Sequence, residues 1–389
     1  MTHVLEKHAI TLGFIPLLDS APLIIAQELG FFAEQDLKVS LRGEFSWATI
    51  RDKVSFGLLD GAQMLAPMPL AATLGLGSIP TPMVTAFSLG LNGNAITLSN
   101  RLWQSLDAFT ETDQPVLSRL RHYIDIRKQK GQLPLKLGIV YPYSQHNYLL
   151  RYWLASGYIR PEKDLDLPVI SPTRMIKSMA DGLIDGFCVG EPWNTVAEQQ
   201  EVGRTAISGY QIWNNAPEKV FGVTQKWAQE NPNTHQAVLT ALLQAALWLD
   251  KEENRAQTLD ILARPEYLNL SCPEDAARVP LLETENWPQF YRYSATFPWH
   301  SHARWLLQQM LRWQQLSNKS VADSPELEQV IHQVYCTDLY RQAAGSLGLA
   351  VPESDNKPEG QHDSEWLLEQ DSSGILLGPS RFIDGKEFC

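Results

Sequence analysis

From Ile10 to Pro69 apolar runs and polar punctuation alternate as strand, helix, strand, helix, strand. Ile10-Thr11-Leu12-Gly13-Phe14-Ile15 is apolar enough for a buried strand. Asp19 and Ser20 offer capping oxygens and Pro22 suits a first helical turn, which predicts a helix from about Ala21 to Gly30, a residue free to take the left-handed conformation that ends helices. Leu37, Val39 and Leu41 alternate as a second strand. Ser46 is placed to cap a helix running through Ile50 and Val54 to about Phe56, and Ala62 to Leu65 follows as a third strand. Ligands of open α/β sheets sit beyond the carboxyl ends of such strands, and the amides at the start of the second helix suit a small anion.

The same order returns further on. Pro82 to Phe87 and Asn94 to Leu98 read as strands on either side of a crossing at Gly90-Leu91-Asn92-Gly93. A helical region from Leu106 to Gln129, interrupted by Pro115, leads to a strand at Leu135 to Val140, a helix at Gln145 to Ala155, a strand at Asp166 to Ile170 and a helix at Pro172 to Ala180. Gly182-Leu183-Ile184-Asp185-Gly186 then nearly copies Gly57-Leu58-Leu59-Asp60-Gly61, each time between a helix end and a short apolar strand. Repetition at the same point of the same element order argues for two similar α/β lobes.

This order assigns residues 1–91 with 216–353 to one discontinuous lobe, 92–215 to the second, and 354–389 to a C-terminal tail. Val220 to Thr224 supplies a strand on the return to the first lobe; helices follow at Asn233 to Lys251, Arg255 to Ala263 and Ser301 to Trp313. Ser354 to Ser373 is polar and reads as mobile.

A length of 389 residues suits two lobes, and 44 acidic against 32 basic side chains disfavour direct contact with nucleic acid or an anionic membrane. The start, Met1 to His8, has no signal-peptide pattern and no run reaches membrane-spanning length, which together predict a cytoplasmic protein. Cys188, Cys272, Cys336 and Cys389 have no metal-type spacing and read as reduced thiols. His300 and His302 form a lone His-x-His, read as interfacial or solvated. No clustered Cys/His set, phosphate loop or Ser-His-Asp arrangement points to an enzyme, and no cofactor is implied.

Gly13-Phe14, Asp19-Ser20-Ala21-Pro22, Gly30-Phe31-Phe32, Ser46-Trp47, Asp60-Gly61-Ala62, Pro67-Met68-Pro69, Arg151 to Ala155 and above all Cys188-Val189-Gly190-Glu191-Pro192-Trp193-Asn194 carry a resemblance. From about residue 9 to 320 the chain resembles the nitrate- and bicarbonate-binding proteins of cyanobacterial uptake transporters. The resemblance implies a periplasmic-binding-protein-like fold of type II, with mixed sheets and helices on both faces. The exported members are tethered outside the membrane, whereas this sequence shows neither an export signal nor a lipidation Cys near its start, a departure that points to the cytosolic branch, the NasS-type nitrate/nitrite sensors. Such a sensor holds a response-regulator-like, RNA-binding antiterminator inactive and releases it when anion binds. The alternative is the nitrate-binding component of an ABC uptake transporter.

Four side chains match the family's ligand-binding pattern: Trp47, beside the helix-start amides of Ala48 and Thr49, then Asn94, His146 and Lys219. By residue type alone three have another reading, Trp47 as a core indole, His146 as a helix cap or surface imidazole and Lys219 as a solvated ammonium, while Asn94 stands where the family's nitrate-binding protein has Gln. By resemblance they would surround nitrate or nitrite, a flat, weakly basic anion that needs donors and positive potential. The bicarbonate relatives have Glu where this chain has Lys219. An ammonium there leaves a bicarbonate O–H without an acceptor, a mismatch worth about 1–3 kcal/mol when buried.

Overall fold

The computed structural model describes residues 4–111, 113–269, 287–316, 325–369, 371–372 and 374–388. Cys272 and Cys389 lie outside the described residues; Cys188 is buried and Cys336 half-buried, both with free thiols.

Two five-stranded sheets form the frame. Strands β1 (Ala9–Phe14), β2 (Lys38–Gly43), β3 (Gly61–Leu65), β4 (Met83–Leu91) and, from much later in the chain, β10 (Pro217–Thr224) give the order β2-β1-β3-β10-β4. Strands β5 (Asn94–Ser99), β6 (Leu135–Gly138), β7 (Leu165–Asp166), β8 (Gly186–Gly190) and β9 (Gly203–Ser208) give β7-β6-β8-β5-β9. Both sheets have three parallel strands followed by an antiparallel one, β10 against β3 in the first and β5 against β8 in the second.

The repeated pentapeptide does the same work in both sheets. Gly57 and Gly182 turn the chain at φ of 70° and 71°. Leu59 and Ile184 plug the core beneath. Asp60 Oδ2 accepts the Thr11 amide of β1 at 2.9 Å, and Asp185 Oδ2 accepts the Lys136 amide of β6 at 2.9 Å. Each aspartate's own amide donates back to that residue's carbonyl, at 2.9 and 2.7 Å. A Cβ at Gly61 would lie 2.7 Å from the Phe221 ring and one at Gly186 would lie 2.6 Å from the Thr97 carbonyl, so a neighbouring strand requires glycine at both places.

Local chemistry explains where the elements fall. Ser46 Oγ accepts the Thr49 amide at 3.2 Å and starts the helix Trp47–Ser55, and Gly30 ends a helical segment at φ 81°. Ser20 and Asp19 do not cap the helix Ala21–Glu28: Ser20 Oγ donates to the Leu17 carbonyl, and Asp19 turns inward. The strand expected at Asp166 to Ile170 is cut short at Pro168, which has no amide to donate; beyond it one bridge, Ile139 to Val169, remains. No helix among the described residues is long and apolar enough to cross a membrane.

The two crossings between sheets run side by side. Gly90, Asn92 and Gly93 take φ of 148°, 69° and 87°, and the Asn92 side-chain amide donates to Asn215 Oδ1 at 3.0 Å. Hydrogen bonds join the sheet bodies, among them Leu18 N–H to the Glu191 carbonyl (2.8 Å), the Trp193 indole to the Pro16 carbonyl (3.0 Å), and Arg51 Nη1 to the Tyr141 hydroxyl (2.7 Å).

The segment read as a mobile tail packs against the body instead. Glu359 is fully buried: Lys357 Nζ donates to both its oxygens at 2.6 Å, the Ser301 and Ser380 hydroxyls donate at 2.9 and 3.1 Å, and His302 Nε2 lies 3.2 Å away. Burial opposes ionisation there, but Lys357 and His302 outweigh it and hold the carboxyl down at about 2. Phe382 packs on Trp213 and Tyr152, at 4.7 and 5.5 Å between ring centres, and Asp384 accepts the Tyr152 hydroxyl. His300 and His302, expected at an interface or in solvent, are 1% and 2% exposed, because this segment covers them.

Candidate functional site

The crevice is built where β10 meets the starts of two helices. Lys219 follows Glu218 on β10, and adjacent residues of a regular strand point to opposite faces. The register with β4 breaks on both sides of Lys219, an irregularity that lets both side chains face one crevice. Lys219 is fully buried; its ammonium donates to Asp19 Oδ2 at 2.7 Å and to the Glu218 carboxylate, and it lies 5.4 Å from the centre of the Trp47 ring. Asp19 also accepts from the Gln63 side chain, and Gln63 Oε1 accepts the Ile15 amide at 2.8 Å.

The second sheet body supplies the opposite wall. Ser144 Oγ accepts the Asn147 amide at 3.1 Å and starts the helix Gln145–Ser156, which places His146 one residue into it. His146 Nε2 lies 3.3 Å from Glu218 Oε1, outside hydrogen-bond alignment. Asn94, at the start of β5, donates its amide to the other Glu218 oxygen. Gly190, at the end of β8, leaves the space: a Cβ there would lie 3.3 Å from Asp19 Oδ2 and 3.5 Å from His146 Nε2.

The structure therefore gathers Trp47, Asn94, His146 and Lys219 around Glu218 and Asp19. Two of the expected donors are already engaged, the Thr49 amide by the Ser46 cap and the Asn94 side-chain amide by Glu218. Ala48 occupies the second position of the same helix, next to Trp47.

Several buried polar atoms have no partner. Trp47 Nε1, both ring nitrogens of His146 and both amide atoms of Gln145 are sealed from solvent without a hydrogen bond. A buried polar atom left unpaired costs about 1–3 kcal/mol. The unpaired nitrogens of Trp47 and His146, beside a buried ammonium, mark a place for a small polar ligand.

The charges are less simple than donors around an anion. One ammonium faces two carboxyls. Burial, only partly offset by Lys219, pushes Glu218 up to about 7, and burial likewise raises Asp19 against the pull of Lys219. Burial works to lower Lys219, but Asp19 and Glu218 outweigh it and keep it charged. Burial and then Lys219 hold His146 well below its usual range, so its imidazole is neutral.

Asp19, Gln63 and Glu218 escaped the sequence reading as site residues. The signal was present for two of them: Gln63 is the lone polar residue of the run Gly61 to Leu65, and Glu218 with Lys219 puts two charges into an otherwise apolar strand.

Residues 4–263 match the family model described as the NMT1-like family. The chain belongs to the NMT1-like family. Among the relatives of this NMT1-like chain, the nitrate/nitrite binding protein NrtA of Nostoc sp. strain PCC 7120 is 33% identical over 357 residues, 88% of this chain and 78% of the relative. The nitrate import ATP-binding protein NrtC of Synechocystis sp. strain PCC 6803 is 39% identical over 388 residues, 96% of this chain; the match spans 55% of that relative, about half its length. Among solved structures, the periplasmic nitrate-binding protein NrtA from Synechocystis PCC 6803 is 30% identical, with a TM-score of 0.81 over 97% of each chain. These likenesses place the chain in the nitrate/bicarbonate substrate-binding family, with the type II periplasmic-binding-protein-like fold. The structural relative is a binding protein.

Proposed function

We propose that this NMT1-like chain binds nitrate or nitrite between Trp47, His146 and Lys219, and that the same event is read by a protein partner. The unpaired Trp47 indole N–H and the N–H of neutral His146, both beside Lys219, carry the first part, because a flat oxyanion would accept from them. Replacing Trp47 by Phe keeps the ring and removes the indole N–H; nitrate affinity by calorimetry should weaken by about 1.5–3 kcal/mol, roughly 10–150-fold. Unchanged affinity would take Trp47 out of the ligand shell.

Glu218 supports a second ligand. Its carboxylate is an acceptor beside the donors, a partner for a bicarbonate O–H, and a bicarbonate transport ATP-binding protein, CmpC of Synechococcus elongatus, is 36% identical over 354 residues, 51% of that relative. A parallel titration with bicarbonate decides between the anions. Lys219 favours nitrate.

For the partner, we propose that the unliganded protein sequesters a response-regulator-like, RNA-binding antiterminator in the cytoplasm and releases it when anion draws the two sheet bodies together. This rests on the resemblance to NasS-type sensors and on a site shared between the bodies, since a ligand that prefers one arrangement shifts the population. A micromolar ligand supplies roughly 8 kcal/mol at standard state, enough when a few kcal/mol distinguish the arrangements. The antiterminator should co-purify without nitrate and elute with it. A complex that survives saturating nitrate overturns release. The alternative, a binding component of an ABC transporter, is supported by the likeness to NrtA and expects no antiterminator complex at all.

A further inference from the structure

We infer that His300, His332 and Asp355 form a binding site for one divalent transition-metal ion of the zinc class, which ties the C-terminal segment to the helices beneath it. His300 opens the helix His300–Arg312, His332 sits on the helix Pro325–Val334, and Asp355 belongs to the C-terminal segment. One ligand atom from each lies within 4.8 Å of the others, and the two imidazoles stand at 84° with ring centres 4.5 Å apart.

The decisive detail is the tautomer of His300. Its Nε2 lies 2.8 Å from the Tyr335 carbonyl oxygen, which can only accept, so Nε2 carries the hydrogen. Nδ1 is left as a lone pair. That atom is sealed from solvent without a partner, and it faces Asp355 Oδ2 at 3.8 Å. Two acceptors facing each other repel unless a cation joins them. A metal ion suits the same atoms: imidazole nitrogens and a carboxylate oxygen are zinc ligands, and a ligating histidine commonly donates its other N–H to a backbone carbonyl.

The surroundings are arranged accordingly. Arg341 Nη2 donates to Asp355 Oδ1 at 2.7 Å, which orients the carboxylate with Oδ2 toward His300. The Thr337 side chain also hydrogen-bonds this carboxylate. The other nearby cation, Arg304, is bound to both oxygens of Glu328 at 2.8 Å, so its charge is offset. The His300 amide donates to the Asp355 carbonyl at 2.9 Å and fixes the segment against the helix start. His332 is exposed and gives an ion access from solvent. Three protein ligands leave a fourth position for water.

Chelator-treated full-length protein titrated with Zn2+ tests this, by calorimetry and by thermal denaturation. One saturable equivalent and a raised Tm are expected. His332→Ala, a surface change, should weaken binding at least 10–100-fold, about the cost of losing an outer-shell partner, and abolish the rise in Tm; Asp355→Asn should do likewise. Trp47→Phe should leave Zn2+ binding unchanged. Absence of saturable binding to the wild-type chain, or wild-type affinity in His332→Ala, overturns the site, and His332→Ala decides alone if Asp355→Asn fails to fold.

Discussion

Nitrate affinity should fall about tenfold for each pH unit above 7, and Glu218→Gln should remove that dependence. The sign follows from the crevice. Glu218 keeps its proton up to about 7, well above an ordinary carboxyl, because it is buried. An anion placed beside it opposes its ionisation further, so the bound form takes up the proton that the free form loses. Affinity is therefore full below about 7 and declines above it, one proton per anion. Lys219 stays charged and His146 neutral across this range. Glu191 also titrates at about 7, again through burial, but its Oε2 is held by the Thr195 amide and hydroxyl at 3.2 and 3.1 Å. A pH slope that persists in Glu218→Gln would transfer the proton to Glu191 and sink the assignment. Calorimetry in buffers of different ionisation heat measures the proton directly.

Lys219 carries the second large effect. Lys219→Met removes the only ammonium bonded to Asp19 and Glu218 among the described residues, which leaves two carboxyls facing each other in the interior. Breaking a buried ion pair from one side costs about 3–5 kcal/mol. That loss should appear in urea denaturation at pH 8 and shrink toward pH 5, where a protonated Glu218 no longer needs a counter-charge. Lys219→Glu should abolish nitrate binding as well, since the anion would meet three carboxyls. Unchanged nitrate affinity in Lys219→Glu removes the ammonium from the site, and equal stability of Lys219→Met and wild type at pH 8 would contradict the ion-pair geometry.

Much of the frame was legible because its signals are local. The Ser46 cap, the Gly30 stop and the two Gly-x-x-Asp-Gly turns are read from a few consecutive residues, and the structure places each at its expected point. Asp19 shows the limit. Its position before a helix suggested a cap, whereas its partner Lys219 is 200 positions away and only the sheet order brings the two together. Glu218 was hidden for a related reason: strand alternation sends neighbours to opposite faces, and the register break that overrides it leaves no mark in residue type. The C-terminal segment looked mobile because polarity usually means solvent. Here Glu359 is paid for by Lys357, Ser301 and His302, contacts that no local pattern announces.

That segment has a mechanical consequence. It is anchored by Glu359 to the start of the helix His300–Arg312 and by Phe382 and Asp384 to Trp213 and Tyr152, side chains from the other body. Two bodies tied by this segment as well as by two crossing strands should part through a shallower arc than bodies held by the strands alone. Removing the lacing should let the jaws gape wider and shut less often.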